Sequence, residues 1–299
     1  LRRQRQMCIR DRGKLIAYDY ENKLKIKTRI CFVVTKAGRE ALVAYNKRLR
    51  AQMHALEVLA EAERPLSGEE LASVQVSAAT LRILCEKGWS ESSEQRVLRN
   101  SYANRTELKE SLHLTDEQRQ AVEAIGSAIT EPHQETFLLQ GITGSGKTEV
   151  YLRAAAQAME AGKQVLLLVP EIALTAQIVK RFQAWFGDEV AVAHSKLSQN
   201  ERADVWYKMR TNSAKLLIGV RSAVFAPFSD LGLIIIDEEH ESSYKQDERP
   251  NYHARTVALK RAQLSGIPVV LGSATPDLES FYKARQGTYT HCLLYTSDA

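Results

Sequence analysis

The pattern of apolar positions changes along the chain near residue 114. In the earlier part, residues 23–34 first alternate between polar and apolar positions and then become continuously apolar, which predicts a strand. Apolar residues at helical spacing predict a helix from residue 36 to about 63. Two shorter helices follow at 68–74 and 78–87, each preceded by a serine in the N-cap position. A strand pair or wing is expected after them.

The later part of the chain alternates strands with helices. Continuous apolar runs without a polar face are typical of parallel strands whose sheet is covered on both sides. The ligand of such a sheet binds at the carboxyl ends of its strands. The predicted fold class is therefore α/β, with helices on both faces of a parallel sheet. The runs are residues 137–139, 165–169, 216–218, 231–236 and 269–271.

These two patterns predict separate domains. Three helices followed by a wing at 89–98 are typical of a winged-helix domain, which either docks duplex DNA or serves as a protein-contact spacer. The irregular ends suggest an internal piece of a longer protein. The predicted divisions are a basic N-terminal remnant at 1–35, the winged helix at 36–98, a linker at 99–113, a nucleotide-binding lobe at 114–291 and an irregular C-terminal end at 292–299.

Composition narrows the class of protein. The chain has 299 residues, of which 44% are hydrophobic and 26% charged, values ordinary for a globular protein that buries a core. Its four cysteines are far apart and form no C-x-x-C pair, so a reducing cytosol is expected. No apolar stretch is long enough to cross a bilayer, and no membrane partner is expected.

The formal charge is distributed unevenly along the chain. Residues 1–50 carry a net charge of +11, whereas the remaining residues carry −6. This asymmetry suggests either a polyanion partner or a solvated basic surface.

The strongest motif lies just after the run at 137–139. Residues 141–148 fill the phosphate-loop pattern G-x-x-x-x-G-K-S/T between a predicted strand and a predicted helix. Glycines allow a tight turn whose N–H groups point at one phosphate, and the helix N-terminus favours negative charge. The residues expected to bind ATP here are Gly141, Thr143, Gly144, Ser145, Gly146, Lys147 and Thr148.

A second motif ends the apolar run at 231–236. Asp237 at a strand end can hold Mg²⁺ together with the hydroxyl of Thr148. The adjacent Glu238 can orient the attacking water or accept its proton. With Lys147 on the phosphates, the two acids predict an ATP-hydrolysing site. Acids after a buried strand can also form an ordinary solvated turn.

Asp237-Glu-Glu-His240 resembles the D-E-x-H box of superfamily 2 helicases and translocases. Gly272-Ser-Ala-Thr-Pro276 resembles their S-A-T motif, and residues 170–177 and 219–228 resemble their strand-tracking motifs. The resemblance implies that His240 links the nucleotide site to Ser273 and Thr275. It also implies that Gln118 reads the adenine edge, although Thr115 and Gln118 also fit a capping box.

Longer strings resemble one branch of this superfamily, the bacterial replication-restart DNA helicases. They include residues 141–151, 169–175, 237–247 and 252–255. Aromatic and basic residues after the acidic box suit contact with single-stranded DNA, although tyrosines can also pack under a polar loop. The resemblance implies contacts to the DNA backbone, which position the protein on DNA without reading the base sequence. The residues expected to contact DNA or couple it to ATP are Thr175, His194, Arg221, Tyr244, Lys245, Tyr252, His253, Arg255, Ser273 and Thr275.

The resemblance implies an ATP- and Mg²⁺-dependent helicase that moves 3′ to 5′ and restarts stalled forks by primosome assembly. Implied partners are forked, single-stranded and duplex DNA, primosome proteins and single-strand-binding protein, in a bacterial cytoplasm close to the nucleoid. The zinc module of the family is absent from this sequence, as are its second motor lobe and arginine finger. Weak activity of the chain alone is therefore expected. Other superfamily 2 translocases and a non-catalytic, ATP-gated DNA-binding module remain alternatives.

Overall fold

A computed structural model of the chain describes residues 28–43, 49–96, 113–131, 133–174 and 176–295. The chain divides into two compact units, residues 1–99 and residues 100–299. The basic segment before residue 28 and most of the expected linker lie outside the described residues, so both expectations stay predictions. No described helix is long and apolar enough to cross a membrane.

The first unit combines four helices with a small antiparallel sheet in its described part. Its sheet has the order β2-β1-β3. Strand β3 pairs with β1 along its whole length, from Thr28 opposite Arg96 to Val34 opposite Ser90. The elements are β1 (Thr28–Val34), α1 (Lys36–Val43), α2 (Arg50–Glu61), β2 (Leu66–Ser67), α3 (Gly68–Ser73), α4 (Ala78–Glu86) and β3 (Ser90–Arg96).

Local sequence explains most of these boundaries. The Ser67 side chain accepts a hydrogen bond from the Glu70 amide while the Glu70 carboxylate accepts one from the Ser67 amide, which completes the predicted capping box. Gly88 ends the next helix with φ +68°, a conformation that glycine adopts without strain. Leucines of α2, α3 and α4 form the core, among them Leu56, Leu71 and Leu84.

One expectation for this unit needs correction, and another is tested only in part. The predicted helix at 36–63 contains α1 and α2, and residues 44–48 between them lie outside the described residues. The predicted strand pair at 89–98 contains one described strand, β3, whose partner β1 precedes the helices in sequence. Local periodicity could not identify this partner because strand pairing is a contact between distant segments.

The second unit is a seven-stranded parallel sheet flanked by helices, which confirms the predicted α/β class. Its strand order is β12-β4-β11-β8-β5-β7-β6. The elements are α5 (Asp116–Thr130), β4 (Thr136–Gly141), α6 (Lys147–Glu160), β5 (Gln164–Leu168), α7 (Ala176–Phe186), β6 (Val190–Ala193), α8 (Gln199–Arg210), β7 (Leu216–Gly219), β8 (Leu231–Ile236), β9 (Lys245–Gln246), β10 (Tyr252–His253), α9 (Ala254–Ser265), β11 (Val269–Ser273), α10 (Leu278–Arg285) and β12 (Thr290–Leu294).

All five predicted strands are present, and two further strands lie at the sheet edges. Strand β6 is short, and β12 runs past the predicted end of the lobe at residue 291. Cys292 pairs with Leu139 of β4, so residues 292–294 belong to the sheet rather than to an irregular end. The sequence Thr-His-Cys-Leu-Leu of β12 is only partly apolar, which hid this edge strand from the hydrophobic pattern.

Successive side chains of the central strands enter two different cores. Phe137 and Leu139 join a cluster with α5, α6 and α7, whereas Leu138 joins a cluster with α9 on the other face. This alternation is the period of two expected of a strand. Because β4, β11, β8 and β5 pair in parallel, their carboxyl ends lie along one edge of the sheet.

Candidate nucleotide site

The phosphate loop connects β4 to α6. Gly144 and Gly146 have φ values of +88° and +85°, a region that glycine adopts more readily than other residues. A Cβ at Gly146 would collide with the side-chain amide of Gln118. The motif therefore needs glycine at 146 for two reasons, backbone conformation and close approach.

Lys147 begins helix α6 with its side chain turned over the loop. The ammonium donates to the Gly141 carbonyl at 2.8 Å and lies 3.5 Å from a carboxylate oxygen of Glu238. Lys147 is only 8% exposed, so its charge is held close to the loop backbone. The Ser145 hydroxyl is buried and has no hydrogen-bond partner among the described residues. A buried cation and an unpartnered hydroxyl beside a helix N-terminus fit a phosphate group.

Asp237 follows β8 at the same edge of the sheet. Its amide donates to the Leu168 carbonyl, and its carboxylate accepts a hydrogen bond of 2.9 Å from the Tyr151 hydroxyl. Burial raises the pKa of this carboxyl above its ordinary value, and the bond from Tyr151 opposes that rise. The next residue, Glu238, has φ +44°, and this turn directs its side chain towards Lys147.

These acids fit a magnesium ion bound together with nucleotide. The described residues contain no cluster of three or more potential metal ligands. Mg²⁺ that binds with substrate phosphates needs only one or two carboxylates and keeps several waters. Asp237 supplies a carboxylate of that kind, and Thr148, the second residue of α6, supplies a hydroxyl next to Lys147.

Gln118 joins the start of α5 to the phosphate loop. Its carbonyl oxygen accepts from the Thr115 amide at 3.1 Å, and its amide nitrogen donates to the Ser145 carbonyl at 3.0 Å. The capping box at Thr115 is therefore present. Adenine recognition by Gln118 stays a prediction.

His240, in the acidic box, contacts the S-A-T segment. One ring nitrogen lies 2.7 Å from the Ser273 hydroxyl, and the other lies 3.5 Å from the Thr275 hydroxyl. Ser273 is fully buried at the end of β11. The structure thus brings His240 next to two residues that lie more than thirty positions further along the sequence. The coupling role of the three residues stays a prediction.

Arg255 forms ion pairs with two acids in this structure. Its guanidinium binds the carboxylates of Glu239 at 2.5 Å and Asp277 at 2.7 Å, and its side chain is 11% exposed. Burial opposes protonation, but the hydrogen bonds with Glu239 and then Asp277 raise the Arg255 pKa. The contact with DNA, or coupling to it, that the sequence predicts for Arg255 stays a prediction.

The burial of Tyr244 favours the alternative in which tyrosines pack under a polar loop. It is completely buried, and its hydroxyl donates to the main-chain carbonyls of Asp237 at 2.6 Å and Leu168 at 3.1 Å. It cannot stack on a base in this arrangement. Tyr252 is half-buried and packs edge-on against Phe225, with ring centroids 4.9 Å apart.

Other predicted contact residues lie on or near the surface. The Lys245 ammonium is exposed and pairs with Asp247 at 2.9 Å. Burial, and then the nearby charge of Arg255, lower the pKa of His253, which is half-buried. Arg221 donates to the Lys245 carbonyl at 3.0 Å and so supports the loop that follows the acidic box. His194 is half-buried after β6, and Thr175 lies outside the described residues.

Two residues that support this site are absent from the residues predicted from sequence. Tyr151 and Glu239 both lie inside motif strings, but neither occupies a position to which the phosphate loop or the acidic box assigns a chemical role. The signal for Tyr151 was its position four residues after Lys147, which puts both side chains on one face of α6. The signal for Glu239 was its place in a run of three consecutive acids, because such a run needs a basic partner.

A phosphate loop facing an acidic strand end on a parallel sheet defines a nucleotide-binding motor lobe, and the S-A-T link is typical of helicases. The chain belongs to the DEAD/DEAH box helicase family, whose sequence profile matches residues 115–283. The resemblance to superfamily 2 helicases is therefore confirmed.

Particular relatives narrow the comparison to replication restart protein PriA. The chain is 47% identical over 251 residues to PriA of Bacillus subtilis, covering 84% of this chain and 31% of that protein. It is 40% identical over 266 residues to PriA of Haemophilus influenzae, covering 87% of this chain and 36% of that protein. The chain thus spans about a third of the length of these relatives. A solved structure described as the Pyrococcus furiosus Hef helicase domain aligns with a TM-score of 0.43 at 20% identity, covering 60% of this chain and 38% of that one.

Proposed function

We propose that this chain is the first motor lobe and winged-helix part of an ATP-dependent DNA helicase that restarts stalled or branched replication forks. The observation that carries the proposal is the meeting of Lys147, Asp237 and Glu238 at one edge of the sheet. The similarity to PriA proteins supports the restart role. We also propose that the whole protein moves 3′ to 5′ on DNA.

The proposed reaction is in-line attack of water on the γ-phosphate of ATP. Lys147 and the loop amides bind the phosphates, and Glu238 orients the water and accepts its proton. Asp237 and Thr148 would hold magnesium, which supplies charge neutralisation at the phosphates when it is bound. Gln118 orients the adenine, while its capping hydrogen bonds fix the start of α5.

We propose that His240, Ser273 and Thr275 couple the nucleotide site to DNA. Contacts to the DNA backbone from Thr175, His194 and Arg221, and from Lys245, Tyr252 and His253 of the segment after the acidic box, hold single-stranded DNA without reading its sequence. The first unit is proposed as a winged-helix domain on the duplex arm, because its described part packs helices against a three-stranded sheet. The partners proposed for the whole protein are primosome proteins and single-strand-binding protein, in the cytoplasm.

The test is ATP turnover by this chain with and without forked DNA, beside Lys147→Ala. Loss of one preorganised donor to the transferred phosphate costs about 10²–10³ in rate. We expect slow turnover that forked DNA stimulates and that the variant abolishes. The arginine finger that such motors use is worth about 10³–10⁵ in rate, so slow turnover fits a single lobe. Equal ATP turnover in wild type and Lys147→Ala would refute the proposed function. Strong DNA unwinding by this chain would refute the prediction that it is only weakly active.

A non-catalytic role is the second candidate for the chain by itself. Its support is that Lys147 interacts with Glu238, an arrangement that nucleotide binding alone could change. In that case nucleotide would alter DNA affinity without turnover. Filter binding of forked DNA, with and without ATP, distinguishes this module from a working ATPase. Fork preference over plain duplex distinguishes a restart helicase from other superfamily 2 translocases.

A further inference from the structure

The tyrosine four residues after Lys147 makes an unusual contact for a core residue. Tyr151 lies on α6 and is 1% exposed, and its hydroxyl donates to Oδ1 of Asp237 at 2.9 Å. The helix that begins with the proposed phosphate-binding lysine therefore also carries a donor to the proposed magnesium ligand. Helix α6 thus links phosphate binding to the orientation of the magnesium ligand.

Asp237 has a half-buried carboxylate, and its Oδ1 atom accepts this hydrogen bond. A polar group that is shielded from water needs such a partner, because an unmade hydrogen bond is costly there. The phenolic hydroxyl carries the proton that it donates, whereas a carboxylate offers only acceptors. The contact therefore runs in one direction, from Tyr151 to Asp237.

The Tyr151 hydroxyl has a fixed position because a third motif lies against it. It occupies the space where a Cβ of residue 272 would lie, and Gly272 provides that space. Gly272 belongs to β11, directly before the S-A-T residues. The hydroxyl is therefore enclosed between the acidic box and the S-A-T strand, and a side-chain rotation would lose both contacts.

The main chain of Asp237 is held separately. Tyr244 donates to the Asp237 carbonyl at 2.6 Å, so a second buried tyrosine fixes the backbone of the residue whose carboxylate Tyr151 orients. A phenylalanine at 151 would fill the core equally well. The hydroxyl is the part that core packing does not require, and it is directed at a proposed metal ligand.

We infer that Tyr151 is a positioning residue of the nucleotide site, whose hydroxyl holds the Asp237 carboxylate in the orientation that magnesium binding requires. The inference rests on the proposed function. Removal of a hydrogen bond that orients a metal ligand typically costs about 10–100-fold in metal affinity or activity. The expected effect therefore falls on the metal rather than on the nucleotide.

The experiment measures Mn²⁺ binding to the full chain in the presence of ADP, by the loss of the free-ion signal in electron paramagnetic resonance. Tyr151→Phe is expected to weaken Mn²⁺ binding by about 10–100-fold. Binding of ADP without metal, in the presence of a chelator, should match wild type. Tyr289→Phe is the matched control, since it removes the hydroxyl of another buried tyrosine of this lobe, and it should leave Mn²⁺ affinity unchanged. Asp237→Asn serves as the reference for a lost metal ligand.

A thermal melt of each variant separates positioning from packing. If Tyr151→Phe lowers the melting temperature but keeps wild-type Mn²⁺ affinity, the hydroxyl serves stability alone and the inference is overturned. If Asp237→Asn also binds Mn²⁺ as wild type does, or if wild type binds none with ADP, the proposed function fails and the inference fails with it. Weaker Mn²⁺ binding in Tyr151→Phe and Asp237→Asn, with Tyr289→Phe unchanged, supports the inference.

Discussion

Glu238 and Glu239 are neighbours in sequence, but their carboxylates face opposite sides of the acidic box. The Glu238 side chain is 29% exposed and lies 3.5 Å from Lys147 on the nucleotide side. The Glu239 side chain is fully buried, and it accepts hydrogen bonds from Arg255, Ser280 and the Asp277 amide. The left-handed backbone at Glu238 turns the chain between them.

This difference shows that identical residue types acquire different roles through burial. Glu238 keeps solvent access, which a residue that must meet a water molecule needs. Glu239 is saturated with donors and joins the acidic box to α9 and α10. We name the group of Glu239, Arg255, Asp277 and Ser280 the clasp. Glu238 faces the proposed nucleotide site, whereas the clasp anchors the acidic box to the helices behind it.

Breaking the clasp should have the largest effect on stability. Arg255→Ala leaves Glu239 buried without its cation, and removal of one partner of a buried ion pair costs about 3–5 kcal/mol. Urea unfolding of the variant measures the loss. Lys245→Ala is the control from the same lobe, because the ion pair of Lys245 with Asp247 is exposed and should contribute less than about 1 kcal/mol. Similar losses for the two variants would contradict the distinction between the clasp and the surface.

A smaller effect is expected on the nucleotide side from Gly272→Ala. The new methyl group would collide with the Tyr151 hydroxyl, and overpacking of this kind costs about 1–3 kcal/mol. The variant should also weaken Mn²⁺ binding, because the hydroxyl must leave Asp237. Gly68→Ala is the control, since nothing lies within 4 Å of the added Cβ. If Gly272→Ala is as stable as wild type, the Tyr151 hydroxyl can move away from the new methyl group without loss of stability.

Replacement of His240 tests the link between the nucleotide side and the S-A-T segment. His240→Ala removes the contacts to Ser273 and Thr275, and residues between coupled sites typically change coupling by about 0.5–2 kcal/mol. We expect basal ATP turnover to persist while stimulation by forked DNA falls. The ratio of turnover with and without DNA measures this change. His133→Ala, an exposed histidine of the same lobe, should leave the ratio intact, and an intact ratio in His240→Ala would exclude the link.

The smallest effect is expected for an ion pair of the same chemistry on the surface. Arg64 pairs with Glu70 at 2.6 Å with side chains 61% and 34% exposed. The hydrogen bond from Arg64, and then those from Ser67, lower the Glu70 pKa from 4.5 to about 2. The stabilising contribution of Glu70 is therefore complete above pH 4.5 and disappears as the pH falls through about 2.

Glu70→Gln tests this pH dependence. The stability difference between wild type and variant should be constant above pH 4.5 and shrink towards pH 2, since only wild type takes up the extra proton on unfolding. Thermal melts of both proteins across that range measure it. A difference that stays constant down to pH 2 would mean that the carboxylate contributes no more than the neutral amide.

The sequence by itself determined the parts of this protein that depend on local chemistry. Capping boxes at Ser67 and Thr115, the glycine-rich phosphate loop and the central apolar strands all follow from neighbouring residues. Such features need only backbone conformation, helix capping and hydrophobic burial, which act over a few positions. The α/β class and the position of the nucleotide site at the strand ends followed from them.

The tertiary structure alone decided which side chains face each other across the sheet. Tyr244 and Arg255 have the composition of a DNA-contacting loop, yet the first supports Asp237 from the core and the second neutralises Glu239. The pairing of β3 with β1 and the edge strand β12 were likewise absent from the local pattern. The physical reason is that burial and partner choice depend on distant segments, which hydrophobic periodicity does not encode.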